Sequence, residues 1–214
     1  MKRTLLLLAL VGCTLHGSIV SEPPANPDPS KRYFFYLHGA AIEDHGRDAV
    51  TRFGRYDYDD ILKALSERGF VVVSEARPKG TVLRDYAAKV AAQVRGLIAA
   101  GVPPDHITVA GASRGSVMTM HVSTELQNPA VNFVLMGNCN DTVFENHQPR
   151  LAGRVLSIYD RTDEFGHTCE RFRKAGTNIT SYREIEINLG HGHGFLYKAY
   201  PDWVNPATAW GKGR

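Results

Sequence analysis

Gly111-Ala112-Ser113-Arg114-Gly115 sets a hydroxyl between two glycines at the G-x-S-x-G spacing, an arrangement suited to a serine that attacks an electrophilic carbon. The short, apolar, partly β-branched run Ile107–Ala110 before it reads as a buried strand. Ser116 to Leu126 behind it reads as a helix ended by Asn128-Pro129. A serine in the sharp turn between the two is forced into strained backbone that lifts its hydroxyl clear of the sheet, while the helix N-terminus favours negative charge nearby. The plainer alternative is a glycine-rich connection in which Ser113 only caps the helix.

An attacking hydroxyl needs a base to take its proton, and the base needs a carboxylate to hold its tautomer. Two later loops supply candidates. Gly190-His191-Gly192-His193-Gly194-Phe195 follows the run Tyr182–Ile187, and Asp160-Arg161-Thr162-Asp163-Glu164 follows the run Val155–Tyr159. Asp141, after a run ending at Met136, is a more distant candidate acid. The ordinary role of any carboxylate that does not meet the imidazole is to form a turn or face solvent. The His-x-His pair could be half a metal site, but no HExxH, no clustered Asp and no second histidine pair accompanies it, so no metal and no cofactor is expected.

The elements that must position these loops alternate. Runs at Tyr33–Leu37, Phe70–Ser74, Ile107–Ala110, Val131–Met136, Val155–Tyr159 and Tyr182–Ile187 read as strands. Helical patterns at Asp59–Arg68, Val82–Ala99, Ser116–Leu126, Phe144–Arg150 and Glu170–Ala175 lie between them. Strands alternating with helices imply right-handed βαβ units and an α/β class fold with a mostly parallel sheet. Sites in such sheets lie beyond the carboxyl ends of the strands, which is where Leu37-His38-Gly39-Ala40-Ala41, Ser113 and the acid and histidine loops all fall.

These loops resemble the α/β-hydrolase superfamily over roughly residues 33–210, in the order serine, acid, histidine, and the glycine-rich histidine loop is similar to that of the dienelactone-hydrolase and prolyl-oligopeptidase branches. The resemblance implies a single-domain α/β-hydrolase fold of about six strands with helices on both faces. It implies Ser113 as nucleophile, His193 as base with His191 as alternate, and Asp163 as acid with Asp160 as alternate. His38-Gly39 resembles the oxyanion loop, so the backbone N–H groups of Ala40 and Arg114 would bind the oxyanion; the alternative there is a glycine turn beside a His38 bonded to backbone. The first two antiparallel strands of the superfamily are missing, and too few residues separate the sixth strand from the acid-bearing one to build a cap domain, which implies an open cleft.

At 214 residues and 43% hydrophobic content the chain can bury one substantial core. Its start reads as an address: Lys2-Arg3, then an apolar stretch from Thr4 to Val11, too short to span a bilayer. Leu10-Val11-Gly12-Cys13 resembles the bacterial lipobox, so residues 1–12 are expected to be a lipoprotein signal peptide and Cys13 the acylated N-terminus, with secretion and later cleavage as alternative. Residues 13–30, rich in proline, are expected to be a poorly packing tether, and the folded domain to occupy 31–214. Removing Lys2 and Arg3 lowers the formal charge from +3 to +1, which argues against nucleic acid as a partner. In an oxidising compartment Cys139 and Cys169 can pair.

The expectation is an exported carboxylic-ester hydrolase that takes ester or acyl substrates, and that touches a membrane through Cys13 if it is acylated. The rival is a binding protein that keeps the scaffold without the chemistry. Peptide, thioester and polysaccharide-acyl substrates suit the same triad. Arg114, Glu75, Arg77 and Lys79 could recognise a polar or anionic group, or form surface ion pairs.

Overall fold

The computed structural model describes residues 17–214; the expected signal segment and Cys13 lie outside them. The strands are β1 (Ile19–Val20), β2 (Arg32–Leu37), the short β3 (Val50–Thr51) and β4 (Gly54–Arg55), β5 (Phe70–Val73), β6 (Ile107–Ala112), β7 (Asn132–Met136), β8 (Ala152–Asp160) and β9 (Asn178–Ile187). Between them run α1 (Ala40–His45), α2 (Tyr58–Ser66), α3 (Leu83–Ala99), α4 (Arg114–Leu126), α5 (Asp141–His147), α6 (Glu170–Ala175) and, at the end, α7 (Pro201–Gly211).

Seven strands form one sheet in the order β1-β5-β2-β6-β7-β8-β9, parallel at every pairing. The residues explain why. In β2, Phe34 and Tyr36 enter one core with α2 and α7, while Tyr33, Phe35 and Leu37 enter the other with α3 and α4. Ala110 and Ala112 of β6, and Val134 and Met136 of β7, join the first core; their neighbours Val109, Phe133 and Leu135 join the second. Strands buried on both faces must be apolar throughout rather than alternating, and that needs helices on both sides.

The strand order reverses beside β2: its chain-successor in the sheet, β5, lies on one side and β6 on the other. The crevice above such a reversal, at the carboxyl ends, is where ligands bind in open α/β sheets. Register brings those ends level, with Leu37 opposite Gly111, Ala112 opposite Met136, and Met136 opposite Ile158.

The expected sheet of about six strands is present, joined by Ile19–Val20, which pairs with Val72–Val73 at its edge; two other expectations are corrected. The packed part therefore begins before Lys31, and the proline-rich stretch is not a free tether: the Tyr33 hydroxyl donates to Asp28 O at 3.2 Å and Glu22 pairs with Lys89 at 3.0 Å. Two strand residues are too few to show any period, so the sequence pattern missed them. Finally, α5 starts at Asp141 rather than Phe144, since the Asn140 side chain accepts from Val143 N–H and caps it.

Candidate active site

Ser113 follows β6 directly and sits at φ 54°, ψ −120°, a region that non-glycine residues avoid. What holds it there is close backbone packing. A Cβ on Gly111 would collide with the Gly115 carbonyl, and one on Gly115 would collide with the carbonyls of Leu37 and His38. Both motif glycines are thus needed for α4 to lie against β6 and β2 at its first turn. Ser113 N–H donates to Met136 O at 2.9 Å, and Asn138 Nδ2 donates to Ser113 O at 3.0 Å.

Beside the serine, a Cβ on Gly39 would stand only 3.3 Å from Ser113 Cβ, so the loop after β2 closes tightly on the turn. Ala40 and Arg114 are the first residues of α1 and α4, whose opening N–H groups find no intrahelical acceptor. The Gly39 loop is braced from behind. His38 Nε2 accepts from Arg77 N–H at 2.9 Å, which leaves Nδ1–H to donate to Gly39 O at 2.8 Å. Burial and then the Arg77 cation push the His38 imidazole down to about 3, so it is neutral. Arg77, 1% exposed, also donates to His38 O and pairs with Glu43 through Nε at 2.8 Å. Arg114 Nε approaches the other Glu43 oxygen at 3.2 Å. Arg77 is therefore a buried brace rather than a substrate-facing or surface cation, and Glu75 pairs with Lys89 at 2.8 Å.

His193 lies in a 3₁₀ turn, Gly192–Tyr197, and its Nδ1 stands 3.0 Å from both oxygens of Asp163. The pair is buried: His193 is 6% exposed under Phe165, whose ring centre lies 4.9 Å away, and Phe53, at 5.7 Å. An imidazole that donates from Nδ1 keeps its lone pair on Nε2. Asp163 Oδ1 also accepts from Phe165 N–H at 2.9 Å.

The alternates sit elsewhere. Asp160 accepts from Thr162 N–H at 2.8 Å, Thr162 Oγ1 at 2.6 Å and Leu189 N–H at 2.7 Å, stitching the acid loop to the histidine loop. Burial works to raise its carboxyl, but those hydrogen bonds outweigh it and the group lies below the usual carboxylate range. His191 is exposed and stacks on Tyr200 at 5.3 Å. Asp141 is exposed at the start of α5 and pairs with Arg171 at 2.6 Å.

Ser113, His193 and Ala40 line one cleft of about 210 Å³, otherwise walled by Tyr56, Asn138, Phe165, Leu196 and Tyr197. Several of these escaped the sequence reading. Phe53, in the turn of the β3–β4 hairpin, packs on Phe165 and His193, and Arg52 lies over the Phe53 and Phe165 rings and pairs with Glu164, so the hairpin flanks the His193 side of the cleft. Strands of two residues carry no periodicity that could have revealed it. Asn138 had no signal beyond its place after β7. Cys139 and Cys169 form a disulfide, Cα atoms 5.1 Å apart, which fastens the loop after β7 to the end of the acid loop. Among the described residues no group of three or more His, Cys, Asp or Glu could hold a metal ion.

No protein-family model and no curated protein matches the chain. Solved structures do. SOBER1 of Arabidopsis thaliana superposes with a TM-score of 0.56 at 10% identity, covering 86% of this chain and 99% of that one. A predicted CIB-like hydrolase of Thermoplasma acidophilum gives 0.56 at 16% identity, over 87% and 89%. RedJ, a thioesterase of the prodiginine pathway in Streptomyces coelicolor, gives 0.53 at 12%, over 90% and 93%.

The chain has the α/β-hydrolase fold, in one domain without a cap.

Proposed function

We propose that this α/β-hydrolase-fold chain is a serine hydrolase of carboxylic esters. One observation carries the reading: a buried His193–Asp163 pair borders the same cleft as a serine held at positive φ. In the proposed cycle His193 Nε2 takes the proton of Ser113 Oγ as the oxygen bonds to the ester carbon. Asp163 steadies the imidazolium through Nδ1–H. The N–H groups of Ala40 and Arg114 hold the oxyanion. His193 then returns the proton to the departing alcohol, and a water molecule activated the same way releases the acid and restores the serine.

The apolar cleft is smaller than the ~300–1,000 Å³ of pockets that enclose drug-sized ligands, which favours a short acyl group. Labelling by a fluorophosphonate probe tests the nucleophile, with Ser113→Ala as control, followed by a panel of short esters and thioesters. Ser113→Ala or His193→Ala is expected to lose about 10³-fold or more in kcat/KM. His191→Ala should lose far less. Turnover retained by Ser113→Ala would end the proposal. Residues 1–12 are proposed as a lipoprotein signal and Cys13 as the acylated anchor of an exported protein; no helix among the described residues is long and apolar enough to cross a membrane.

A further inference from the structure

The end of the sheet opposite the cleft carries a groove of about 690 Å³ lined by Lys31, Arg32, Arg68, Lys212 and Arg214, against one carboxylate, Glu67. Its position follows from the strands: Arg32 opens β2, whose other end leads to the Gly39 loop, and the Arg32 guanidinium bonds the carbonyls of Asp105 and Gly211. The five cations share one property with about half of the lysines and arginines among the described residues. Among the described residues none of them is in an ion pair, whereas Arg47, Arg55, Lys89, Arg95, Arg161 and Arg171 are. Glu67 is turned towards Lys63 at 3.9 Å. Lys212 is held below its usual range first by partial burial and then by Arg214, Arg68 and Arg32. These cations outnumber the carboxylates near them, Glu67 in the groove and Asp28 beside Lys31, so they repel one another, and an anionic surface facing them relieves that repulsion.

The chain's own route supplies that surface. Gly17 lines the same groove, and its N–H donates to Ser66 O at 2.9 Å. Cys13 is four Cα steps earlier, a reach of at most ~14 Å. That is close to the ~8–10 Å over which charges act at physiological salt.

We propose that this basic groove rests on the anionic phospholipid headgroups of the membrane that holds Cys13, so that the cleft at the far end of the sheet opens away from the bilayer. The inference rests on the proposed acylation of Cys13. It adds a substrate consequence: six residues of β2 set the cleft ~20 Å beyond the groove, so its esters come from the aqueous side and not from the supporting bilayer.

The test separates anchor from surface. The chain from position 13 onward, as it would exist after removal of the signal segment and carrying Cys13→Ser, is mixed with vesicles of pure phosphatidylcholine, or of phosphatidylcholine with about a third phosphatidylglycerol, and sedimented. Binding is expected only to the anionic vesicles, lost in high salt, and reduced about tenfold or more by Lys31→Glu with Lys212→Glu and Arg214→Glu. Circular dichroism and the thermal melt of that triple variant monitor its fold. Equal binding to both vesicles, no binding to either, or a folded triple variant that binds anionic vesicles undiminished overturns the basic-surface proposal. Membrane fractionation of the unmutated chain, with mass analysis of Cys13, reads the anchor on its own. An unacylated Cys13 removes the anchor and with it the inferred orientation, even if the vesicle result stands.

Discussion

Asp160 and Asp163 stand on one loop, three positions apart, and meet different partners. Asp163 faces an imidazole, whereas Asp160 satisfies two backbone N–H groups and a hydroxyl. Asp163→Asn is therefore expected to lower kcat/KM by about 10³–10⁴-fold, the loss that follows when the acid no longer fixes the tautomer. Asp160→Asn should cost stability, about 1–3 kcal/mol by denaturant titration, with a smaller kinetic effect. A reversed ranking in kcat/KM would give the acid role to Asp160. His38 sets a pH dependence. Its imidazole falls from 6.5 to about 3 on folding, so between those values the unfolded chain binds the extra proton. That contribution is fully present above pH 6.5 and is lost as pH falls towards 3, with a slope approaching ~1.4 kcal/mol per pH unit. Asp160, with its carboxyl lowered, adds a further loss below 3.8. Urea titrations across this range check the sign; a flat profile would contradict a buried neutral His38.

The turn from β6 into α4 and the acid loop after β8 are positioned by opposite means. The turn depends on missing atoms: Gly115→Ala would drive a methyl into the carbonyls of Leu37 and His38, both backbone and unable to swing aside. We expect a lower melting temperature and a fall in kcat, because the loop that carries Ala40 must shift; unchanged values for both would mean that the close packing is not required. The acid loop depends on a covalent tie. Cys139–Cys169 closes a 30-residue loop, worth roughly 3–4 kcal/mol in the chain-entropy model. The same two segments also share the bonds Asn140 Nδ2 to Phe165 O at 2.7 Å and His167 N–H to Cys139 O at 3.0 Å. Reduction should lower the melting temperature and weaken kcat together; a kcat that does not move would leave the bridge a purely structural role.

At the scale of the whole molecule the parallel sheet separates two ends with different chemistry. The carboxyl ends hold the cleft, and the amino ends hold the basic groove and Gly17. If the cleft opens away from the bilayer, anchorage should not change its access to dissolved substrate. We expect acylated protein in proteoliposomes and the Cys13→Ser form in solution to hydrolyse a water-soluble short ester with kcat/KM within about twofold, and neither to cleave the glycerophospholipid that surrounds the anchor. Release of fatty acid from the vesicles would contradict the orientation.

The parallel α/β architecture and the turn at Ser113 were legible in the sequence, because both are written in neighbouring residues. Doubly buried strands need unbroken apolar runs, and a tight strand-to-helix turn needs glycines two positions either side of the serine. The loops at the strand ends followed from chain order alone. What local pattern could not carry were the pairings between remote segments: which of two histidines meets which of two aspartates, that Arg77 turns inward to Glu43, that Phe53 and Phe165 close over His193, and that Ile19–Val20 completes the sheet edge. Each depends on the direction a side chain takes once strand register has brought distant loops together, and a shift of one residue along a loop, which leaves composition and periodicity nearly unchanged, would have reversed it.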